Sequence, residues 1–209
     1  MNINQPQILE IIATLFAFFG AVTFHEFSHA LAAYLLGDAT AKQAGRLTLN
    51  PFKHIDLIGL LCLFLFRIGW AKPVPMNMQN FKHPKLYAVF SAFAGPISNF
   101  ILALISLYAF KYIPSLINNA SIALFLSTLF KISAQLNVML GIFNFLPIPP
   151  LDGGHLIQAL IPDSMQASYY RFLPVSIIIL LVVIMLPATQ HFLIVSMNNA
   201  LQLLSKLVI

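Results

Sequence analysis

Charge is what this sequence has least of. Asp, Glu, Lys and Arg make up 8% of its 209 residues, against about 25% in an ordinary soluble domain. Hydrophobic residues make up 59%, and the mean hydropathy is +0.87. A chain of this size cannot hide so much apolar surface in one water-facing core, so a soluble globular fold is excluded and the bilayer is its solvent. Cysteine is almost absent: Cys62 stands alone, which rules out an internal disulfide and removes any sign of an oxidising compartment. Six acidic residues beside 19 Phe exclude a disordered tail or an acidic binding segment. The net charge of +5 comes from only 11 basic residues, with no basic run interleaved with aromatics, so nucleic acid is not an expected partner. Membrane lipids are. No repeat, low-complexity stretch or long soluble insert is present, and 1–209 reads as a single membrane domain. The N-terminus lacks the basic region of a signal peptide, so the first apolar run is read as a retained span.

What is there is a series of apolar runs. From Ile8 to Leu36 the chain is apolar over more than the roughly 20 residues that cross hydrocarbon, yet this run holds Glu10, His25, Glu26 and His29. Gly37-Asp38 closes it, and residues 38–54 read as a loop or a short strand pair. Ile55 to Ala71 is short and broken by Asp56, Gly59, Arg67 and Gly69, so a re-entrant or interfacial segment fits as well as a span. Lys72-Pro-Val-Pro75 excludes helix interior and predicts extended backbone over 71–81. Further apolar runs cover Leu86 to Ile113, Ala120 to about Phe145, Phe172 to Leu186 and His191 to Val208. The expected fold is therefore an all-α polytopic membrane protein of about five to six membrane segments, with a small membrane-associated β or re-entrant element after the first span. Lys42, Arg46, Lys53, Arg67, Lys72, Lys82 and Lys85 lie between the first span and Leu86, which places that connection in the cytoplasm.

Ionisable side chains inside a span are costly, so the first run marks a functional site before any motif is considered. His25-Glu-Phe-Ser-His29 is H-E-x-x-H. On a helix its histidines, four residues apart, share one face and can hold one Zn²⁺. Glu26 then stands where a general base can take a proton from the attacking water and return it to the leaving amine. A catalytic zinc usually has a third protein ligand. The best candidate is Asp152, which follows Pro147, Pro149 and Pro150 and precedes Gly153-Gly154: the prolines free backbone that at membrane depth must line a cavity, and the glycines allow close approach and unusual dihedrals. Asp152 would have to fold back into the membrane from the cytoplasmic side. A cap or turn aspartate is the plainer alternative. Asn144 is either an interhelical hydrogen-bonding residue or a donor to the substrate carbonyl and its developing oxyanion. Asn99, in Gly95-Pro-Ile-Ser-Asn99, reads as close small-residue packing plus a hydrogen bond, and the role of Asn137 is open. His54, His83 and His191 read as interfacial or solvated, His155 as a residue able to orient Asp152, and Cys62 as a small buried hydrophobe.

These motifs resemble those of the site-2 protease family of intramembrane zinc metalloproteases, in its compact bacterial form: H-E-x-x-H from His25 to His29, G-x-x-x-N from Gly95 to Asn99, and N-x-x-P-x-P-x-L-D-G from Asn144 to Gly153. Arg46-Leu-Thr-Leu-Asn-Pro51 and Lys72-Pro-Val-Pro-Met-Asn77 resemble that group's connecting segments. The resemblance implies that His25, His29 and Asp152 bind one Zn²⁺, that Glu26 is the base, and that Asn144 assists substrate or oxyanion binding. It implies a sheet element within residues 42–81 that holds an unwound substrate helix by strand addition. The expected substrates are transmembrane proteins, the location the bacterial inner membrane with the active site toward the cytoplasm, and a homo-oligomer is a possible assembly. The PDZ insert and the C-terminal CBS module of larger members are not expected here, since only about six residues join the Leu86 to Ile113 and Ala120 to Phe145 runs. A non-proteolytic metal-binding carrier or scaffold explains the buried histidines and Asp152 equally well, but gives Glu26 no task.

Overall fold

Small residues recur every four positions along the first helix: Ala13, Ala17 and Ala21, then His25 and His29, then Ala33, all buried. That spacing makes one continuous stripe on a helical face. The computed structural model describes residues 5–66 and 69–208, and the stripe lies on α1 (Gln5–Leu35). After a short α2 (Thr40–Gln43) and α3 (Leu57–Phe66), α4 (Pro84–Tyr112) packs against both α1 and α5 (Ala120–Phe145). Its buried face is again small or polar: Ala88, Ser91, Ala92, Gly95, Asn99, Ala103 and Ser106. From α5 come Ala134, Asn137, Val138 and Gly141. The bulky side chains point the other way, with Phe16, Phe90, Ile101 and Leu124 all more than half exposed. Small residues between helices and large ones outside are what packing against lipid favours, because backbones gain by close approach while Leu or Phe loses nothing by facing acyl chains.

Among the described residues, four helices are long and apolar enough to cross a membrane: Gln7–Leu35, Pro84–Leu116, Ala120–Phe145 and Asp163–Met185. Fewer segments qualify than the five to six expected. The ten-residue α3 is about 15 Å long, half the hydrocarbon thickness. The last helix, α8 (Pro187–Lys206), has 20 residues, but Gln190, His191, Asn198, Asn199, Gln202 and Lys206 dilute its apolar content. The final membrane-length helix includes α7 (Gln166–Met185), which follows the short α6 (Gly154–Leu160).

Between α1 and α4 the expected sheet is reduced, among the described residues, to one antiparallel bridge between Ile55 and Ala71. Pro73 and Pro75 supply no ladder donors, and residues 40–43 and 51–53 form short helical turns instead of strands. Of residues 71–81, expected to be extended, 72–77 form no helix and Asn77 is extended, whereas Met78–Asn80 close into a 3₁₀ turn capped by the Asn77 side chain, which accepts from the Gln79 amide. Arg67 lies outside the described residues. Asp38, wholly buried, ties this segment to the end of α1: its carboxylate accepts from the Thr40 amide and hydroxyl, from the Asn77 amide at 2.7 Å and from Asn80 Nδ2 at 2.7 Å. His54, expected at an interface, is fully buried, with Nε2 on the Thr48 carbonyl at 2.8 Å. Cys62 is half-buried rather than buried.

Candidate metal centre

His25 and His29, one turn apart on α1, direct their Nε2 atoms to within 3.0 Å of each other. Each ring is fixed from behind by its other nitrogen. His25 Nδ1 lies 2.6 Å from Asn99 Oδ1, and His29 Nδ1 lies 2.8 Å from the Ser91 carbonyl. The carbonyl can only accept, so His29 Nδ1 carries the proton. Asn99 is oriented by its own amide, which donates to the Ala21 carbonyl and to Asn137 Oδ1, so its oxygen faces His25 and Nδ1 donates there too. Both Nε2 lone pairs therefore point into the same space. Asn137 is anchored in turn by donating to the Ser133 carbonyl at 2.8 Å. This chain of bonds through α1, α4 and α5 fixes the orientation of both imidazoles, as outer partners do for metal-binding histidines.

Asp152 reaches them from the far side. α5 stops at Phe145, and residues 146–153 fold back along its end: the Gly153 amide donates to the Asn144 carbonyl at 2.7 Å, and a Cβ on Gly153 would sit 2.4 Å from the Leu146 carbonyl oxygen. A Cβ on Gly154 would meet Pro149 at 2.9 Å. The two glycines thus serve close approach. Their dihedrals are ordinary: Gly153 has φ −60°, and the positive-φ glycines are Gly37 and Gly45. The return puts Asp152 Oδ2 3.1 Å from His25 Nε2, and Oδ1 3.3 Å from His29 Nε2.

The three residues fit a zinc ion by two observations. The two imidazole nitrogens lie 3.0 Å apart, one Asp152 oxygen lies 3.1 Å from His25 and the other 3.3 Å from His29, and one donor atom from each of the three residues lies within 4.8 Å of the others, a spacing compatible with the edge of about 3.3 Å that tetrahedral coordination at 2.0–2.1 Å produces. Asp152 Oδ2 is also buried without any hydrogen-bond partner, as a carboxylate awaiting a cation would be. Gly95 completes the cradle: a Cβ there would lie 2.4 Å from His29 Cε1 and Nε2 and 2.8 Å from His25 Cε1.

Glu26, buried beside the triad, turns toward the extended segment, where its Oε2 accepts from the Val74 amide at 3.0 Å. Asn144 donates back to the Leu140 carbonyl of its own helix at 3.0 Å, leaving one amide hydrogen and its oxygen for other partners. The His155 ring is held by Gln158 Oε1 at 3.2 Å. His83 and His191 are exposed, as expected. A cavity of about 500 Å³ opens beside the centre, lined by Val74, Met76, Asn77, Leu151, His155 and Gln158 among others. The residues that sequence reasoning undervalued are Asn99 and Asn137, whose signal was a polar side chain in an apolar span, and Arg46, discussed below.

A family model described as Peptidase family M50 matches residues 111–187. A Bacillus subtilis (strain 168) protein named "Putative zinc metalloprotease YwhC" is 40% identical over 82% of this chain and 79% of its own length. Two mycobacterial proteins named "Putative zinc metalloprotease Rip2" are more distant. The one from Mycolicibacterium smegmatis is 31% identical over 70% of this chain and 57% of its own length. The one from Mycobacterium tuberculosis (strain H37Rv) is 28% identical over 80% of this chain and 64% of its own length, so the chain spans less than two thirds of these longer relatives. No solved structure matches.

Proposed function

The chain belongs to peptidase family M50 and is an intramembrane zinc metalloprotease; on that premise we propose how its residues divide the work. Zinc is its cofactor, and His25, His29 and Asp152 would hold it. When bound, it supplies Lewis-acid polarisation of the scissile carbonyl and acidifies the attacking water. Glu26 takes that water's proton on the carboxylate oxygen not bonded to Val74, then delivers it to the departing amine. Asn144 can turn its free amide hydrogen to the developing oxyanion while the other stays on Leu140.

The observation that carries this reading is the convergence of two Nδ1-anchored imidazoles on a carboxylate whose Oδ2 takes no hydrogen bond, beside a buried glutamate. No comparable observation favours a non-proteolytic carrier, which would not need Glu26. We further propose that the substrates are membrane proteins cut in or near a transmembrane segment. A helix hides its peptide bonds in its own hydrogen bonds, so the substrate must unwind locally. The extended 72–77 segment and the adjoining cavity support a site where unwound chain is held as an added strand. The α3 excursion, closed at its base by the Ile55–Ala71 bridge, suits a re-entrant element, and α8 could add a fifth segment. The chain is a multi-pass membrane protein. The six basic residues between α1 and α4, with Lys85 in the first turn of α4, support a cytoplasmic face for that connection, in a bacterial inner membrane, with lipid headgroups as neighbours and a homo-oligomer as a possible assembly. All of this fits one domain over 1–209.

Replacing Glu26 by Gln and following cleavage of a co-expressed single-span membrane protein tests the assignment. Cleavage should fall by at least about 10²-fold with zinc still bound. Full retained cleavage would refute Glu26 as the base.

A further inference from the structure

Arg46 is buried, 7% exposed, and no carboxylate pairs with it directly among the described residues. Its Nη2 donates to the Lys72 carbonyl at 2.6 Å and its Nη1 to the Pro73 carbonyl at 3.2 Å, while Nε has no partner. A buried cation held only by carbonyls is costly, and an apolar side chain of similar size would fill the space without that cost. The carbonyls it grips belong to the two residues before Val74, whose amide is bonded to Glu26.

The sequence makes that amide unusual. Pro73 and Pro75 flank it, so Val74 offers the single backbone N–H between Lys72 and Met76. Each residue that precedes a proline is restricted to extended conformations, which makes 72–75 stiff. A stiff strip is placed by whatever holds its ends. One end is held by Arg46 and by the Lys72 amide on the His54 carbonyl at 2.9 Å. The other is held by the Asn77 amide on Asp38. Arg46 itself is fixed by the bond from its backbone amide to the Ala41 carbonyl at 2.8 Å, one residue after Gly45, whose φ of +64° turns the chain there. The Glu26 carboxylate also acts on the guanidinium through space, offsetting part of the cost of its burial.

We propose that Arg46 is a positioning residue for the general base: by gripping the Lys72 and Pro73 carbonyls it keeps the Val74 N–H on Glu26 Oε2 and so aims the other carboxylate oxygen at the attacking water. The inference rests on the reading of Glu26 as the base. It gives a task to the Arg46 to Pro51 and Lys72 to Asn77 segments, which the metal centre alone leaves without one. Lys at position 46 retains the charge but can grip the two carbonyls only as a single point donor, so it should do part of the work.

The test uses the whole protein in detergent micelles. Amide hydrogen exchange of Val74, read by valine-selective ¹⁵N labelling, should be protected in the wild type and in Glu26→Gln, which keeps an acceptor. It should be at least tenfold faster in Glu26→Ala and in Arg46→Ala, and intermediate in Arg46→Lys. Zinc stoichiometry of Arg46→Ala should equal that of the wild type, because no Arg46 contact reaches His25, His29 or Asp152. On a synthetic single-span peptide, kcat should fall about 10- to 100-fold in Arg46→Ala, with KM within about twofold, and recover partly in Arg46→Lys. Unchanged Val74 protection in Arg46→Ala would overturn the proposal, as would an undiminished kcat. If Arg46→Ala loses its fold, slower but intact Arg46→Lys with wild-type KM supports it, and equal loss of zinc, KM and kcat in Arg46→Lys overturns it. Undiminished cleavage by Glu26→Ala would instead overturn the assignment of the base, while the exchange data would still report whether Arg46 sets the Val74 contact.

Discussion

Gly95 is the position where one added methyl group should cost most at the metal centre. A Cβ there would stand 2.4 Å from two atoms of the His29 ring and 2.8 Å from His25, whereas carbon contacts settle near 3.5–4.0 Å. The His29 ring would have to retreat by about 1 Å, twice the tolerance of roughly 0.5 Å within which a site must be held. It cannot do so freely, since its Nδ1 is bonded to the Ser91 carbonyl on α4, the helix that carries Gly95. Displaced ligand geometry of this kind lowers metal affinity about 10- to 100-fold, which is about 1.4 to 2.7 kcal/mol. The assay is a competitive zinc titration of purified Gly95→Ala against a chelator of known affinity, with helical content checked by circular dichroism. Gly20→Ala, where a Cβ meets nothing within 4 Å, is the control on a neighbouring helix and should bind zinc as the wild type does. A folded Gly95→Ala that binds zinc as tightly as the wild type would refute the cradle, and with it the idea that the rings are confined from the α4 side.

Two further outcomes follow from the bonds around the site. Asn99→Ala removes the acceptor from His25 Nδ1 and the partner of Asn137; zinc affinity should drop about 10- to 100-fold, and a chelator competition showing no change would mean that His25 is oriented by something else. For Asp38, burial alone would raise the carboxyl pKa, but the bonds from Thr40, Asn80 and the Asn77 amide outweigh it and hold the group below its ordinary value. A depressed folded-state pKa means that the stabilisation is present above the unfolded value of about 3.9 and is lost as pH falls through the folded value. The melting temperature of the wild type should therefore fall as pH drops below about 4, and Asp38→Asn should show less of that acid dependence and a lower melting temperature at neutral pH; parallel curves for the two proteins would contradict it.

How far the sequence reveals this protein depends on the range of the interaction. H-E-x-x-H was legible because a helix fixes the relation of residues four apart, and because an ionisable residue in an apolar run has few structural explanations. The extended 72–77 segment was legible because proline acts locally on φ and on its neighbour. Span number was less so: α8 reads as an apolar run by eye, yet its polar residues are spread along its length and weaken every window. His54 was misread for a related reason. Its position at a segment edge suggested solvent, but burial is decided by which parts of the chain gather round a residue: His54 Nε2 lies on the Thr48 carbonyl, and the chain returns beside it with the Lys72 amide on the His54 carbonyl.

The supporting bonds lie beyond both kinds of local signal. His25 finds Asn99 across 74 positions, Glu26 finds the Val74 amide across 48, and Arg46 finds Lys72 across 26. No periodicity encodes these pairings. Yet the scarcity of charge narrows them. In a chain with 8% charged residues, each buried polar or charged group must be matched or it destabilises the fold, and besides His25, Glu26 and His29 the buried ones include Asn99 and Asn137 in the spans and Arg46, Asp38 and His54 in the connection after α1. Asn99 and Asn137 reach His25 within two bonds, Arg46 and His54 hold the near end of the strip beside Glu26, and Asp38 anchors its far end. Asn144 is the instructive remainder. Its side chain has a complete local explanation in its bond to Leu140, so only a substrate carbonyl competing for its second amide hydrogen would distinguish a functional role from a helical one. For the other residues the protein's own structure already supplies the partner, and the chemistry can be argued from the contact outward.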